Sequence, residues 1–138
     1  MKLELRATPE EVMRAVAALQ AFGKTREIPE SILFELALAL EECGSNVVNH
    51  ALQRDARQQF QVMIEQAGDA VSIELRDRGP AFDPTRAPAA AAAAGIDRPP
   101  GGWGIQLVRR YMDEIHYFRD GGENVLRLTK RLPTTAAN

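Results

Sequence analysis

Between Pro29 and Leu52 the chain carries a helical run whose first half is apolar on nearly every side, through Ile32, Leu33, Phe34, Leu36, Leu38 and Leu40. Such a run predicts a central, mostly buried helix around which the fold is built. Its second half breaks the apolar pattern with Glu42, Asn46, Asn49 and His50. At about 100° per residue, Asn49 falls roughly 20° from Glu42 on one side, and Asn46 about 40° and His50 about 80° on the other. Four polar groups therefore share one arc of a buried helix. Each would cost roughly 1–3 kcal/mol without a partner, so protein groups, water or a ligand must meet them.

The elements that could cover this helix are legible around it. Lys2 to Ala7 alternates as a strand with one wet face, with Leu3 and Leu5 on the apolar side. Thr8-Pro9-Glu10-Glu11 opens a helix with a cap, a proline at the first position and a glutamate placed to bond back to the cap. Val12, Ala15, Val16 and Leu19 form its apolar stripe, and Gly23-Lys24 ends it. Gln58 to Gln66 and the stretch from Val71 read as a hairpin turning at Gly68-Asp69. Continuing the period of two through Val71, Ile73 and Leu75 puts Asp77 on the inward side at the strand's end. After Gly104 a third helix is marked by Ile105, Val108 and Met112. Strands Glu114–Arg119 and Asn124–Arg131 come next, joined by Asp120-Gly121-Gly122.

Pro84 to Pro100 fits neither period and holds four prolines and six consecutive alanines, Ala89 to Ala94. Long segments of this kind in a compact domain commonly act as lids. The expected organisation is one domain over residues 1–132, with a lid loop at 84–101 and a flexible tail at 133–138. A formal net charge of -2 gives no electrostatic reason for a nucleic-acid partner or an anionic membrane. Without a leader-like or spanning apolar segment, the expectation is a cytoplasmic protein with no membrane association. The single Cys43 can form neither an internal disulfide nor a cysteine-rich metal site and is expected to pack as a small buried side chain.

Three segments carry chemistry, and each has two readings. Asp77 could accept a hydrogen bond from the exocyclic amine of adenine, which a guanine carbonyl would not offer, or it could cap a loop or pair with Arg78. Gly79 permits close approach of backbone to a flat ligand. Glu42 and Asn46, one helical turn apart, could place a carboxylate and a magnesium-binding amide oxygen beside a phosphate, or they could form a hydrogen-bonded patch between helix and sheet. Glu41 lies about 100° away from Glu42 around the helix, and His50 at the arc's edge is expected to be a packed histidine. Gly101-Gly102-Trp103-Gly104 precedes a helix and could turn backbone amides toward phosphate, or hinge a lid.

With these residues in view, the chain resembles the ATP-binding superfamily that includes gyrase, heat-shock chaperone ATPases, sensor histidine kinases and mismatch-repair ATPases. It is most similar to the bacterial anti-sigma factor serine/threonine kinases. Glu42-x3-Asn46-x3-His50-Ala51 resembles the family's N box, Asp77-x-Gly79-x2-Phe82-Asp83-Pro84 its first glycine box and Gly101-Gly102-Trp103-Gly104-Ile105 its second. The similarity continues through Met112-Asp113-Glu114 and Gly121-Gly122-Glu123-Asn124.

The resemblance implies an α+β two-layer sandwich of the Bergerat type, a mixed, mostly antiparallel sheet with helices on one face. ATP and Mg2+ would be its cofactors. Glu42 would be the catalytic carboxylate, Asn46 the magnesium ligand, Asp77 and Gly79 the adenine contacts, and Gly102 and Gly104 the phosphate-loop residues. Trp103 stands where the family has a smaller aliphatic residue, and the alanine-rich lid departs from the family's composition.

The implied function is partner switching. Such kinases bind a sigma factor or similar regulator and phosphorylate a serine or threonine on a small antagonist protein, and the family often forms homodimers. An ATP-gated binding module without kinase activity is the alternative. A detached sensor histidine kinase catalytic domain fits less well, because the chain has no helical pair carrying an acceptor histidine.

Overall fold

The computed structural model describes residues 1–86 and 104–133. Five strands form one sheet: β1 (Lys2–Arg6), β2 (Gln59–Ala67), β3 (Ala70–Asp77), β4 (Glu114–Asp120) and β5 (Glu123–Arg131). Their spatial order is β1-β2-β3-β5-β4, and all four pairings are antiparallel. The fold is thus α+β with an antiparallel sheet, and no parallel pair occurs among the described strands. Three helices, α1 (Pro9–Thr25), α2 (Glu30–Asn46) and α3 (Gly104–Tyr111), supply the second layer. Most of the expected lid loop, residues 87–101, lies outside the described residues, as do Gly102, Trp103 and the tail from 134.

Alternation within the strands sorts side chains to two faces. Leu5, Val62, Ile64, Ile73, Leu75 and Leu128 are at most 1% exposed and pack with Leu19, Leu36 and Leu40 of the helices into one core. The hairpin turns between Ala67 and Ala70, with Gly68 at φ 60°, a left-handed conformation that glycine adopts without strain. That register carries Asp77 to the inward face beside Asn124, its partner on β5.

Two local details differ from expectation. Thr8 caps α1 by accepting from the Glu11 amide at 3.2 Å, but the Glu11 carboxylate bonds the Arg6 amide at 3.1 Å instead of returning to Thr8. The Thr8 amide already donates to the Arg6 carbonyl at 2.8 Å, so it has no need of the glutamate. In α2, expected to be mostly buried, Phe34 is 63% exposed and marks an open stripe within the apolar run.

The expected single helix from Pro29 to Leu52 also changes form. After Asn46 the chain runs through a π-helical turn, Val47–Ala51, in which the Leu52 amide bonds the Val47 carbonyl at 2.8 Å. Wider i→i+5 bonding adds a residue to the turn and rotates the residues beyond it away from the 100° progression. Gln53 and Arg54 then leave the helix in left-handed conformations, with φ of 52° and 59°.

Candidate functional site

The π turn divides the polar arc. Asn46, before it, is 4% exposed and faces the sheet beneath. Asn49 is turned outward and accepts from Arg54 Nε at 2.9 Å, so the expected arc of four holds only in part. His50 stacks on Phe82, with ring centroids 5.4 Å apart and planes 21° from parallel. It is the packed histidine expected from sequence, set against the Phe82 ring.

Glu42 is half-buried, and its Oε2 is buried without a hydrogen-bond partner among the described residues. Burial pushes its carboxyl above the ordinary range, the neighbouring Glu41 charge adds to this, and His50 opposes it. Asn46 makes no side-chain hydrogen bond within the described residues. Among the described residues, Glu42 Oε2 and the Asn46 amide form no hydrogen bond to the sheet. Among the described residues no cluster of three His, Cys, Asp or Glu side chains stands ready for a metal. A cation held by Asn46 would complete its shell from water and phosphate, a coordination habit that suits Mg2+.

Asp77 is 4% exposed and is organised on one side only. Its Oδ1 accepts from the Gly79 amide at 2.8 Å and from Asn124 Nδ2 at 2.8 Å. Oδ2 accepts no hydrogen bond among the described residues. Arg78 turns toward Glu123 at 3.8 Å and does not pair with Asp77, whereas the bond from the Gly79 amide to Asp77 Oδ1 is the loop cap that the sequence offered as the alternative. Desolvation pushes the Asp77 carboxyl upward, opposed by the bonds from Asn124 and Gly79 and by the charge of Arg119. Gly79 is required by space: a Cβ there would collide with the Ala51 carbonyl oxygen at the end of the π turn and crowd Asp77 Oδ1.

Asn124, Tyr117 and Arg119 were not singled out from sequence as site residues. Asn124 is 4% exposed and joins three parts of the site. Its Nδ2 donates to Asp77 and to the Pro80 carbonyl at 2.9 Å, and its Oδ1 accepts from the Phe82 amide at 3.1 Å, from Arg119 Nη1 at 3.1 Å and from the Tyr117 hydroxyl. Arg119 also donates to the Gly79 carbonyl at 3.0 Å. The available signal was an inward asparagine inside a strand, where this residue type is depleted.

The cavity bounded by Asn46, Val47, Ala51, Asp77, Phe82 and Tyr117 encloses about 20 Å³. This is room for about one water molecule, so a flat base would enter by displacing the Phe82 side of the wall. The donor set itself fits an adenine nucleotide: an open carboxylate oxygen beside a glycine, with a bare carboxylate and an unbonded amide on the helix above. A depression of about 470 Å³ lies behind Gly79 but is lined by exposed residues such as Arg57 and Arg78. Gly104 begins α3, whereas Gly102 lies outside the described residues. No described helix is long and apolar enough to cross a membrane.

Comparison with known proteins places the fold. Residues 5–130 match the family model described as the histidine kinase-like ATPase domain. The chain is 31% identical over 128 residues to the serine/threonine-protein kinase BtrW of Bordetella bronchiseptica, covering 92% of this chain and 90% of that one. Its fold is similar to SiaB–SiaC from Pseudomonas aeruginosa, with a TM-score of 0.72 at 14% identity, covering 94% of this chain and 88% of the matched one. It is also similar to the RsbU and RsbW domains of Rv1364c from Mycobacterium tuberculosis, with a TM-score of 0.68 at 21% identity. That match covers 96% of this chain but only 32% of the mycobacterial one.

Proposed function

Because the chain belongs to the histidine kinase-like ATPase domain family, within its anti-sigma factor kinase branch, we propose that it is an ATP-dependent serine/threonine protein kinase that works by partner switching. It would hold a sigma factor or similar regulator and phosphorylate a small antagonist protein. The relatives support this reading, since BtrW is named as a serine/threonine kinase and SiaB was solved in complex with SiaC.

The observation that carries the proposal is the bare, buried Oε2 of Glu42, one helical turn from the unbonded amide of Asn46. A carboxylate raised above its ordinary range, with one buried oxygen that accepts no hydrogen bond among the described residues, suits a group that receives a proton from an attacking hydroxyl. In the transfer, the acceptor oxygen bonds to the terminal phosphorus as the bridging bond to ADP breaks, and the hydroxyl proton passes to Glu42 Oε2. Asp77 would accept from the adenine amine through its open oxygen, Gly79 would contact the base through its backbone, and Gly102 and Gly104 would face the phosphates. Asn46 would hold Mg2+, which supplies charge neutralisation on the phosphates when bound.

The test uses purified protein, labelled ATP and Mg2+ added to the soluble proteins of the source cells. One small protein should become labelled on serine or threonine. The Asp77→Asn variant should lose roughly tenfold or more in ATP affinity and should label nothing at low ATP, because it loses a charged acceptor worth about 1.5–3 kcal/mol. ATP binding without labelling of any protein would favour the gated binding module, and unchanged affinity in Asp77→Asn would remove the adenine assignment.

A further inference from the structure

We infer that Asn124 is a positioning residue that sets nucleotide specificity by fixing which oxygen of Asp77 is left for the base. The inference rests on the reading of Asp77 as the adenine contact. Asn124 never needs to touch the nucleotide to do this. Its role comes from having two opposite hydrogen-bonding ends in a fully buried place.

The partners on each side admit only one orientation of the amide. The Phe82 amide and the Arg119 guanidinium can only donate, and both point at Oδ1 at 3.1 Å. The Pro80 carbonyl can only accept, and it meets Nδ2 at 2.9 Å. Nδ2 therefore also donates to Asp77 Oδ1 at 2.8 Å, and that oxygen already accepts from the Gly79 amide. Two donors occupy Oδ1, so Oδ2 is the oxygen left to accept from a ligand. A donor amine satisfies it, whereas a carbonyl at the same place would meet a like partial charge.

Of the common side chains, an amide alone offers this combination at this length. An aspartate would have no donor for Asp77, and a threonine has a single oxygen for all five groups. The same amide fixes the backbone from Pro80 to Phe82, where Phe82 forms the cavity wall against His50. Orientation of the carboxylate and placement of the wall are thus set by one residue on β5.

The test measures displacement of a fluorescent ATP analogue by ATP and by GTP. Asn124→Ala should lower ATP affinity about tenfold or more and contract the ATP-to-GTP preference. A purely structural role would lower the melting temperature and leave that ratio intact. Asn124→Asp would put a second carboxylate against Asp77, and two such groups share one proton. With the proton between them the contact persists, and without it they repel. ATP affinity in this variant should fall at least tenfold more than in the unaltered protein between pH 5.5 and 8.

An unchanged ratio in Asn124→Ala together with a pH profile for Asn124→Asp that parallels the unaltered protein would overturn the inference. Should neither variant fold, the side-chain amide signals of Asn124 in the unaltered protein decide by NMR. They should shift on adding ATP and much less on adding GTP, and equal responses would overturn the inference. Asp77→Asn separates the two levels. If it binds ATP normally the site reading itself fails, and if it loses ATP while the Asn124 variants behave normally, only the role of Asn124 fails.

Discussion

Glu42 and Glu74 are carboxylates withdrawn from water on opposite sides of the sheet. Glu74 projects from β3 onto the face away from the core, where Arg76 Nε at 2.7 Å and Arg127 Nη2 at 2.6 Å hold its two oxygens. Burial raises its carboxyl, but the arginine bonds outweigh it and leave the group below the ordinary range. Arg76 is itself tied to Asp120 and Glu123, so Glu74 sits inside a network. Glu42 meets the same desolvation, gains a like charge from Glu41 that only His50 opposes, and keeps one buried oxygen without a hydrogen bond among the described residues. Burial is common to both and therefore does not distinguish them. The distinction is whether the fold supplies hydrogen-bond partners among the described residues, and the acid with a buried oxygen left without one is the candidate for chemistry.

The largest expected effect is on catalysis. Glu42→Gln keeps size and polarity but removes the proton acceptor, so labelling of the antagonist should fall by roughly 10²–10⁴-fold. ATP affinity should stay within a few-fold of the unaltered protein, as read by nucleotide titration. Transfer at the normal rate would show that the bare carboxylate is not the base. Glu74→Gln should leave transfer and nucleotide affinity alone and should cost about 1–3 kcal/mol of stability, seen as a lower urea midpoint. The corresponding stability change in Glu42→Gln should be neutral or favourable, because it removes a charge that the native state leaves unpaired. The contrast between the two acids would be inverted if Glu42→Gln were the more destabilised variant.

The residues that make this contrast were unequally legible in the sequence. Period-two alternation in Val71, Ile73 and Leu75 carried Asp77 to the inward face, and helical spacing put Glu42 and Asn46 on one side, because both inferences depend only on local geometry. The π turn broke the same arithmetic four residues later, since nothing in Val47-Val48-Asn49-His50-Ala51 announces i→i+5 bonding. Asn124 and the Arg76–Glu74–Arg127 network depend on which strands are neighbours. The β3–β5 pairing joins residues some fifty positions apart and leaves no periodic trace. Phe34 shows the converse limit: an apolar side chain in an apolar helix reads as core, yet it stands in solvent because no described element covers that stripe.

The smallest effect is the most direct test of the contrast, because it asks for opposite signs from two glutamates of the same reference value, 4.5. For Glu74 the folded value lies below 4.5, so its contribution to stability is present above 4.5 and is lost as pH falls through the lowered value. For Glu42 the folded value lies above 4.5, so the unfolded chain releases the proton more readily. Its contribution is present below 4.5 and is lost as pH rises through the raised value. Urea midpoints measured across this range should therefore separate the variants. The advantage of the unaltered protein over Glu74→Gln should shrink on acidification. Relative to Glu42→Gln, the unaltered protein should instead lose ground as pH rises. Asp77 is also raised and acts in the same sense as Glu42, so it is common to all three proteins and cancels in these differences. Parallel profiles for the two variants would mean that Glu42 finds in solution the partners its buried oxygen lacks in the fold.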